Sequence, residues 1–240
     1  MKSILKRTLI CGLVFSLSIS LAQAENLSVK PTQKKIGYYI NRNFYLVPND
    51  RSLNKKVVLI TIDDGPSKTD KELVEILNKH NVKAIFFING VHDKDFRGNI
   101  KMLYDAGFAL GNHTWNHINL KKSKEEIIKK EIGDNTNLIY NLTGENPKFF
   151  RPPYGVINKY TKDIVKKEGM IFMNWSGSAL DWERAAKDEK IFIKNITKNL
   201  RDGEIILLHG YPWTTKYLDN LLTTIKEKGF GFVDPVNIIE

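Results

Sequence analysis

Val57-Val58-Leu59-Ile60-Thr61-Ile62-Asp63-Asp64-Gly65-Pro66-Ser67 is the stretch from which the rest of the chain is read. Val, Ile and Thr suit a pleated and buried surface, so residues 57–62 predict a central strand, which Gly65-Pro66 then stops. Successive strand residues face opposite sides, so Asp63 and Asp64 leave the strand tip in different directions and can take different tasks. Two adjacent carboxylates at the end of an apolar strand repel each other and lose hydration, which requires a cation or strong donors in compensation. A metal ligand or a general base is one reading. A plain Asp-Gly-Pro turn is the other, and these residues alone leave both open.

Outward from this strand, strand-like and helix-like stretches alternate. Residues 83–88, 108–111, 148–151, 170–175, 204–208 and 230–233 predict further strands. Helices are expected at 69–80, 95–106, from Ser123 to about Leu142, 158–168, 188–200 and about 215–228. Thr69 or Ser67 is the expected N-cap of the first helix, and Ser123-Lys124-Glu125-Glu126 reads as a capping box. Such alternation argues for parallel βαβ units. Asp63, His113, Arg151 and His209 each follow the C-terminal end of a strand, and in a barrel those ends share one face. The expected fold is therefore α/β, an irregular TIM-like (β/α) barrel of about seven parallel strands.

The chain has 240 residues, which suits one domain with a sizeable core. Residues 1–24 stand apart: a basic start (Lys2, Lys6, Arg7), an apolar run from Thr8 to Leu21, and the small-x-small site Ala22-Gln23-Ala24. They read as a secretory signal peptide cleaved near Ala24, with an uncleaved anchor as the minority reading. Residues 25–56 are expected to be an N-terminal extension or linker, or a short decoration with an aromatic island at Tyr38-Tyr39 and Phe44-Tyr45. Residues 57–240 form the main domain. Cys11 is the sole cysteine, so the exported chain would hold no disulfide and would rely on its core or on a metal. Loss of Lys2, Lys6 and Arg7 leaves a surplus of +7 out of the whole-chain +10. That charge suits an anionic polymer such as a cell wall, and equally a merely solubilising surface. No helix-turn-helix, finger or stacking platform accompanies it, so a nucleic-acid partner is not expected. Neither is a stable membrane span after signal cleavage, and a monomer is expected.

His113 and His117 are four residues apart and could close on one ion together with Asp64, leaving an open coordination position. Water at such a site loses a proton near neutral pH and needs no serine or cysteine nucleophile. An H-x-x-x-H spacing by itself is weak, and chance placement stays open. His80 and His92 are expected to be solvated. Trp115 is expected to pack, and Trp213 could stack on a sugar.

Taken together, TIDDGPS (Thr61–Ser67), HTWNH (His113–His117), RPPYG (Arg151–Gly155), LDW (Leu180–Trp182) and LLHG (Leu207–Gly210) resemble the five ordered motifs of the polysaccharide deacetylases. These form carbohydrate esterase family 4, whose domain is also called the NodB-homology domain. The resemblance spans about Val57 to Pro235. It implies that Asp64, His113 and His117 hold a divalent metal, usually zinc or cobalt, and that Asp63 is the general base, tuned by Arg151. It further implies that the backbone N–H of Tyr154 stabilises an oxyanion. His209, held by Asp181, would be the general acid, and Trp182 with Leu207 would wall an acetyl-methyl pocket. One departure is visible: Ser178 stands where many members carry the first Asp of D-x-x-D-W, which bears on substrate choice.

The implied function is a metal-dependent hydrolase that removes N-acetyl groups from an amino-sugar polymer, cell-wall peptidoglycan first. Its partner would be an acetylated glycan. Chitin oligomers and acetylxylan are the alternatives within the class. A non-catalytic glycan-binding module would be marked by loss of base, ligands or acid, all of which are present here. A metallophosphatase would want a second metal and more ligands than the chain offers.

Overall fold

The computed structural model describes residues 35–240, so the signal-peptide reading and residues 25–34 of the extension lie outside the described residues. Chain order is β1 (Tyr38–Ile40), β2 (Leu46–Pro48), β3 (Val57–Gly65), α1 (Asp70–Lys79), β4 (Ala84–Ile88), α2 (Asn99–Asp105), β5 (Ala109–Asn112) and α3 (Glu125–Thr143). It continues with β6 (Phe149–Phe150), α4 (Thr161–Lys167), β7 (Ile171–Phe172), β8 (Gly177–Ser178), α5 (Glu189–Thr197), β9 (Glu204–His209), α6 (Pro212–Glu227) and β10 (Gly231–Phe232). The main sheet runs β7-β6-β5-β4-β3-β9-β8, every pairing parallel. β10 pairs with Val57 and Val58 of β3, below the point where β4 joins at Ile60. The sheet curls into a half-barrel, as the alternation of elements leads one to expect.

Strand alternation sorts the side chains into two cores. Val58, Ile60, Ile62, Phe86, Ile88, Ile206 and Leu208 face outward and pack against the helices. Val57, Leu59, Ile85, Phe87, Phe149 and Ile205 face inward and fill the barrel. Continuing the inward rows by period two leads from Leu59 to Thr61 and Asp63, and from Ile205 to Leu207 and His209. On β5 the same count leads from Gly111 to His113, and on β6 from Phe149 to Arg151. The site therefore begins one step past the apolar filling on each strand.

Residues 35–56 form a hairpin, with β1 and β2 antiparallel and Tyr39 opposite Val47. Its buried side chains, Tyr38 and Leu46, join the inward core at the end of the barrel opposite the site. Leu46 N–H donates to Gly203 O at 2.7 Å, and the Tyr38 hydroxyl donates to Asn54 O at 2.7 Å. These residues belong to the same compact unit as the rest of the described chain. β8 also lacks a strand-like sequence; its register with Ile206 and Leu207 of β9 makes it a strand.

Several helix ends differ from the sequence reading. α2 starts at Asn99 because Gly98 adopts a left-handed φ of 86° and breaks any earlier turn. The capping box of α3 does not form: Lys124 is the N-cap, and the Ser123 hydroxyl donates backward to Asn119 O. Neither Thr69 nor Ser67 caps α1 through its side chain; Thr69 Oγ1 instead donates to Gly210 O at 2.9 Å, tying the loop after β3 to the loop after β9.

One inward position is reserved for glycine. A Cβ at Gly111 would collide with the ring of Phe87, whose face carries the Arg151 guanidinium at 4.3 Å. Gly111→Ala must displace either the ring or the strand, and overpacking of this kind costs about 1–3 kcal/mol. Thermal unfolding of the variant is expected to show that loss. An unchanged midpoint would mean that the interior has room to spare.

Candidate active site

The register of β3 against β4 slips between Ile62 and Gly65, and Asp64 takes a positive φ of 62°. This bulge separates the two acids. Asp63 is 2 % exposed and points into the barrel, whereas Asp64 turns to the open face. Asp63 Oδ1 accepts from Arg151 Nη1 at 2.7 Å, and Oδ2 lies 3.6 Å from His113 Nε2. Burial pushes the Asp63 carboxyl above the usual range, with the Arg151 and His209 charges opposing that rise. Arg151, itself fully buried, is pushed down by desolvation and held up by Asp63. It also donates to Thr61 Oγ1 at 2.7 Å and to Asn174 O at 3.1 Å, so two further hydrogen bonds fix the guanidinium beside the acid.

His113 Nδ1 lies 2.7 Å from Arg151 O, a carbonyl that can only accept, so Nδ1 carries the proton and the Nε2 lone pair is free. Burial drives the imidazole down to about 3, with Asp64 only partly compensating, so the ring is neutral at any ordinary pH. Asp64 Oδ1 lies 3.4 Å from His117 Nε2 and 3.7 Å from His113 Nε2. The donor atoms of Asp64, His113 and His117 all lie within 4.8 Å of one another. Among the described residues Asp64 Oδ1 is buried without a hydrogen-bond partner, an arrangement costly for a carboxylate unless a cation sits there. One acid and two imidazoles, one of them neutral with its second nitrogen anchored, form a donor set that fits a divalent ion.

Across from this set, His209 Nε2 is 4.0 Å from Asp64 Oδ2, and His209 Nδ1 is 2.8 Å from Asp181 Oδ1. Asp181 is fully buried. Its Oδ2 accepts from the His209 backbone N–H at 2.7 Å and from Thr214 Oγ1 at 2.9 Å. Burial works against the imidazolium, but the Asp181 hydrogen bond and the charges of Asp181, Asp63 and Asp64 outweigh it, and His209 is raised. Trp182, 44 % exposed, meets the His209 ring edge-on at 5.5 Å. Tyr154 has a left-handed φ of 59°, and its ring meets His117 edge-on at 4.7 Å. Leu207 is buried one inward step below His209, in register with Thr61 and Ser178.

Thus Asp63, Asp64, His113, His117, Arg151, Tyr154, Asp181, Trp182 and His209 meet at one end of the barrel, with Leu207 in the layer beneath. Several supporting residues carried no sequence signal. Asn89 Nδ2 donates to His113 O and Thr114 O, Asn112 Oδ1 accepts from Thr114 N–H, and Glu131 accepts from the backbone and side chain of Asn116. Together they hold a loop in which Thr114 and His117 have positive φ. His80 and His92 are not simply solvated: His80 Nε2 is 2.8 Å from Asp219, and His92 Nδ1 is 3.2 Å from the carbonyl of Asp64. Trp115 packs over Gly90, where a Cβ would strike its ring. Ser178, in place of an acid, accepts from Leu180 N–H at 3.0 Å and so supports the turn that leads to Asp181.

Residues 50–173 match the family model described as polysaccharide deacetylase. The chain belongs to the polysaccharide deacetylase family. Among its relatives, a peptidoglycan-N-acetylglucosamine deacetylase of Bacillus cereus is 32 % identical over 186 residues, covering 75 % of this chain and 67 % of that one. One from Listeria monocytogenes is 33 % identical over 182 residues, but the chain spans only 38 % of its length. Among solved structures, a mutant of a Bacillus anthracis family 4 pseudoenzyme with restored enzymatic activity superimposes with a TM-score of 0.72. It is 30 % identical over 76 % of this chain and 67 % of that one. A family member can therefore keep the fold without the activity, and in this polysaccharide deacetylase domain the side chains, not the fold, decide the chemistry.

Proposed function

We propose that the chain hydrolyses the N-acetyl group of amino sugars in peptidoglycan, giving acetate and a free amine. The observation that carries this reading is the pair of adjacent acids with opposite surroundings. Asp63 is gripped by Arg151, and Asp64 presents an unpartnered oxygen to two imidazoles. Asp64, His113 and His117 would hold a divalent cation, zinc first and cobalt as the alternative. Such an ion supplies Lewis acidity, which polarises a carbonyl and makes water more acidic.

The chain's own groups do the rest. Asp63 takes a proton from the attacking water; its raised affinity for protons suits a base that must accept one near neutral pH. Arg151 keeps one carboxylate oxygen engaged and leaves the other for that proton. The N–H of Tyr154 donates to the oxyanion as the carbonyl becomes tetrahedral. His209 protonates the departing nitrogen, and Asp181 supports the imidazolium form. Trp182 and Leu207 flank the acetyl methyl.

The peptidoglycan assignment is supported by the names of the Bacillus cereus and Listeria monocytogenes relatives, both peptidoglycan-N-acetylglucosamine deacetylases, and by a basic surplus suited to an anionic wall. Action on the wall agrees with the export signal read at residues 1–24. Among the described residues no helix is long and apolar enough to cross a membrane. The test is acetate release from peptidoglycan, N-acetylglucosamine oligomers and acetylxylan in parallel. Release is expected to be fastest from peptidoglycan. Release from acetylxylan alone would replace the amide reading with an ester one, and release from none would leave a glycan-binding module.

A further inference from the structure

Beside His209 stands an aromatic column that the deacetylase reading does not use. Tyr211 N–H donates to His209 O at 2.8 Å, a tight turn that folds the Tyr211 ring back to 5.5 Å from the imidazole, tilted by 31°. The next member of the column is Trp213, stacked on Tyr211 at 4.7 Å and 19°. Trp213 is itself fixed: its Nε1 donates to Asp181 O at 2.9 Å, and the Lys187 ammonium lies 4.5 Å from its ring centre. With Tyr211 and Lys187 both against it, Trp213 is not a free platform for a sugar. It serves instead to hold Tyr211.

Tyr211 is half-buried, and its hydroxyl takes no hydrogen-bond partner among the described residues. Burial and the nearby charges of Asp64 and Asp181 push the phenol up, so the hydroxyl keeps its proton and remains a donor. With Trp182 also against His209, the imidazole is flanked by two aromatic side chains, and only Tyr211 carries a hydroxyl. A side chain stacked in this way loses little further freedom on binding, which favours a directed hydrogen bond to a ligand.

We propose that Tyr211 is a sugar-binding residue: its hydroxyl hydrogen-bonds a ring hydroxyl of the amino sugar whose nitrogen is presented to His209. The proposal rests on the deacetylase reading for the identity of the ligand. Losing one such hydrogen bond, with the ring kept, weakens binding by about tenfold.

The test compares Asp63→Asn with Asp63→Asn/Tyr211→Phe by calorimetric titration with an N-acetylglucosamine oligomer, in parallel with the turnover of Tyr211→Phe alone. Expected are a Kd about tenfold higher in the double variant, and in Tyr211→Phe a rise in KM that exceeds the fall in kcat. Equal Kd values, or no oligomer binding by Asp63→Asn, would overturn the sugar contact. So would a loss confined to kcat, which would mean that Tyr211 acts only through His209. Absence of acetate release by the unmodified chain would overturn the proposed function, while the calorimetric pair would still decide the role of Tyr211.

Discussion

Asp63→Asn is expected to lower acetate release by about a thousandfold, the middle of the range attributed to a positioned general base. The amide oxygen can still accept from Arg151, but it cannot take a proton from water. The variant also leaves the fully buried Arg151 guanidinium without its counter-charge, and breaking such a pair from one side costs about 3–5 kcal/mol. Unfolding by urea should therefore show a large loss of stability together with the loss of rate. A second substitution separates the two effects. Asp63→Asn/Arg151→Met removes both charges, so stability should return toward that of the unmodified chain while turnover stays at the lowered level or below. Bound metal, measured by atomic emission, should be unchanged in Asp63→Asn, because Asp63 is not one of the three proposed ligands. Retained activity in Asp63→Asn would remove Asp63 as the base.

The second large effect concerns His113. His113→Asn removes one of the three proposed ligands, and metal affinity is expected to fall by more than the roughly 10- to 100-fold that changes in outer partners cost. The same variant has a signature without metal. In the metal-free fold the imidazole resists protonation down to about 3, whereas in the unfolded chain it takes a proton near 6.5. Between those values the unfolded state binds more protons, so stability falls as pH falls through that window, by at most about 1.4 kcal/mol per pH unit from this group. His113→Asn should flatten that slope. An unaltered slope would mean that His113 is not buried in its neutral form, and full metal occupancy would exclude it as a ligand.

What the sequence made legible follows from which interactions are local. The unbroken β-branched and apolar run Val57–Ile62 makes the strand legible, because a strand buried on both faces needs apolar residues at every position. Asp63, His113, Arg151 and His209 could be placed at one end of the barrel because each sits at or just past the C-terminal end of its own strand. The hairpin of Tyr38 and Leu46 could not be read, since its strands are three residues long and its anchors, Gly203 and Asn54, are distant or polar. β8 was invisible for the same reason: Gly177 and Ser178 are extended only because β9 pairs with them. The clamp of Asn89, Asn112 and Glu131 on the histidine loop uses common polar residues at ordinary spacings, and only the folded chain brings them together. α6 begins at Pro212, earlier than its apolar pattern suggests, and that extra turn delivers Trp213 and Thr214 to Asp181.

The most direct measurement is a titration of chelator-stripped protein with zinc while acetate release from peptidoglycan is followed. Activity absent at the start, rising in proportion to added zinc and levelling at one ion per chain, is the predicted course. Full activity after stripping, or a plateau at two ions per chain, would contradict a single cation held by Asp64, His113 and His117.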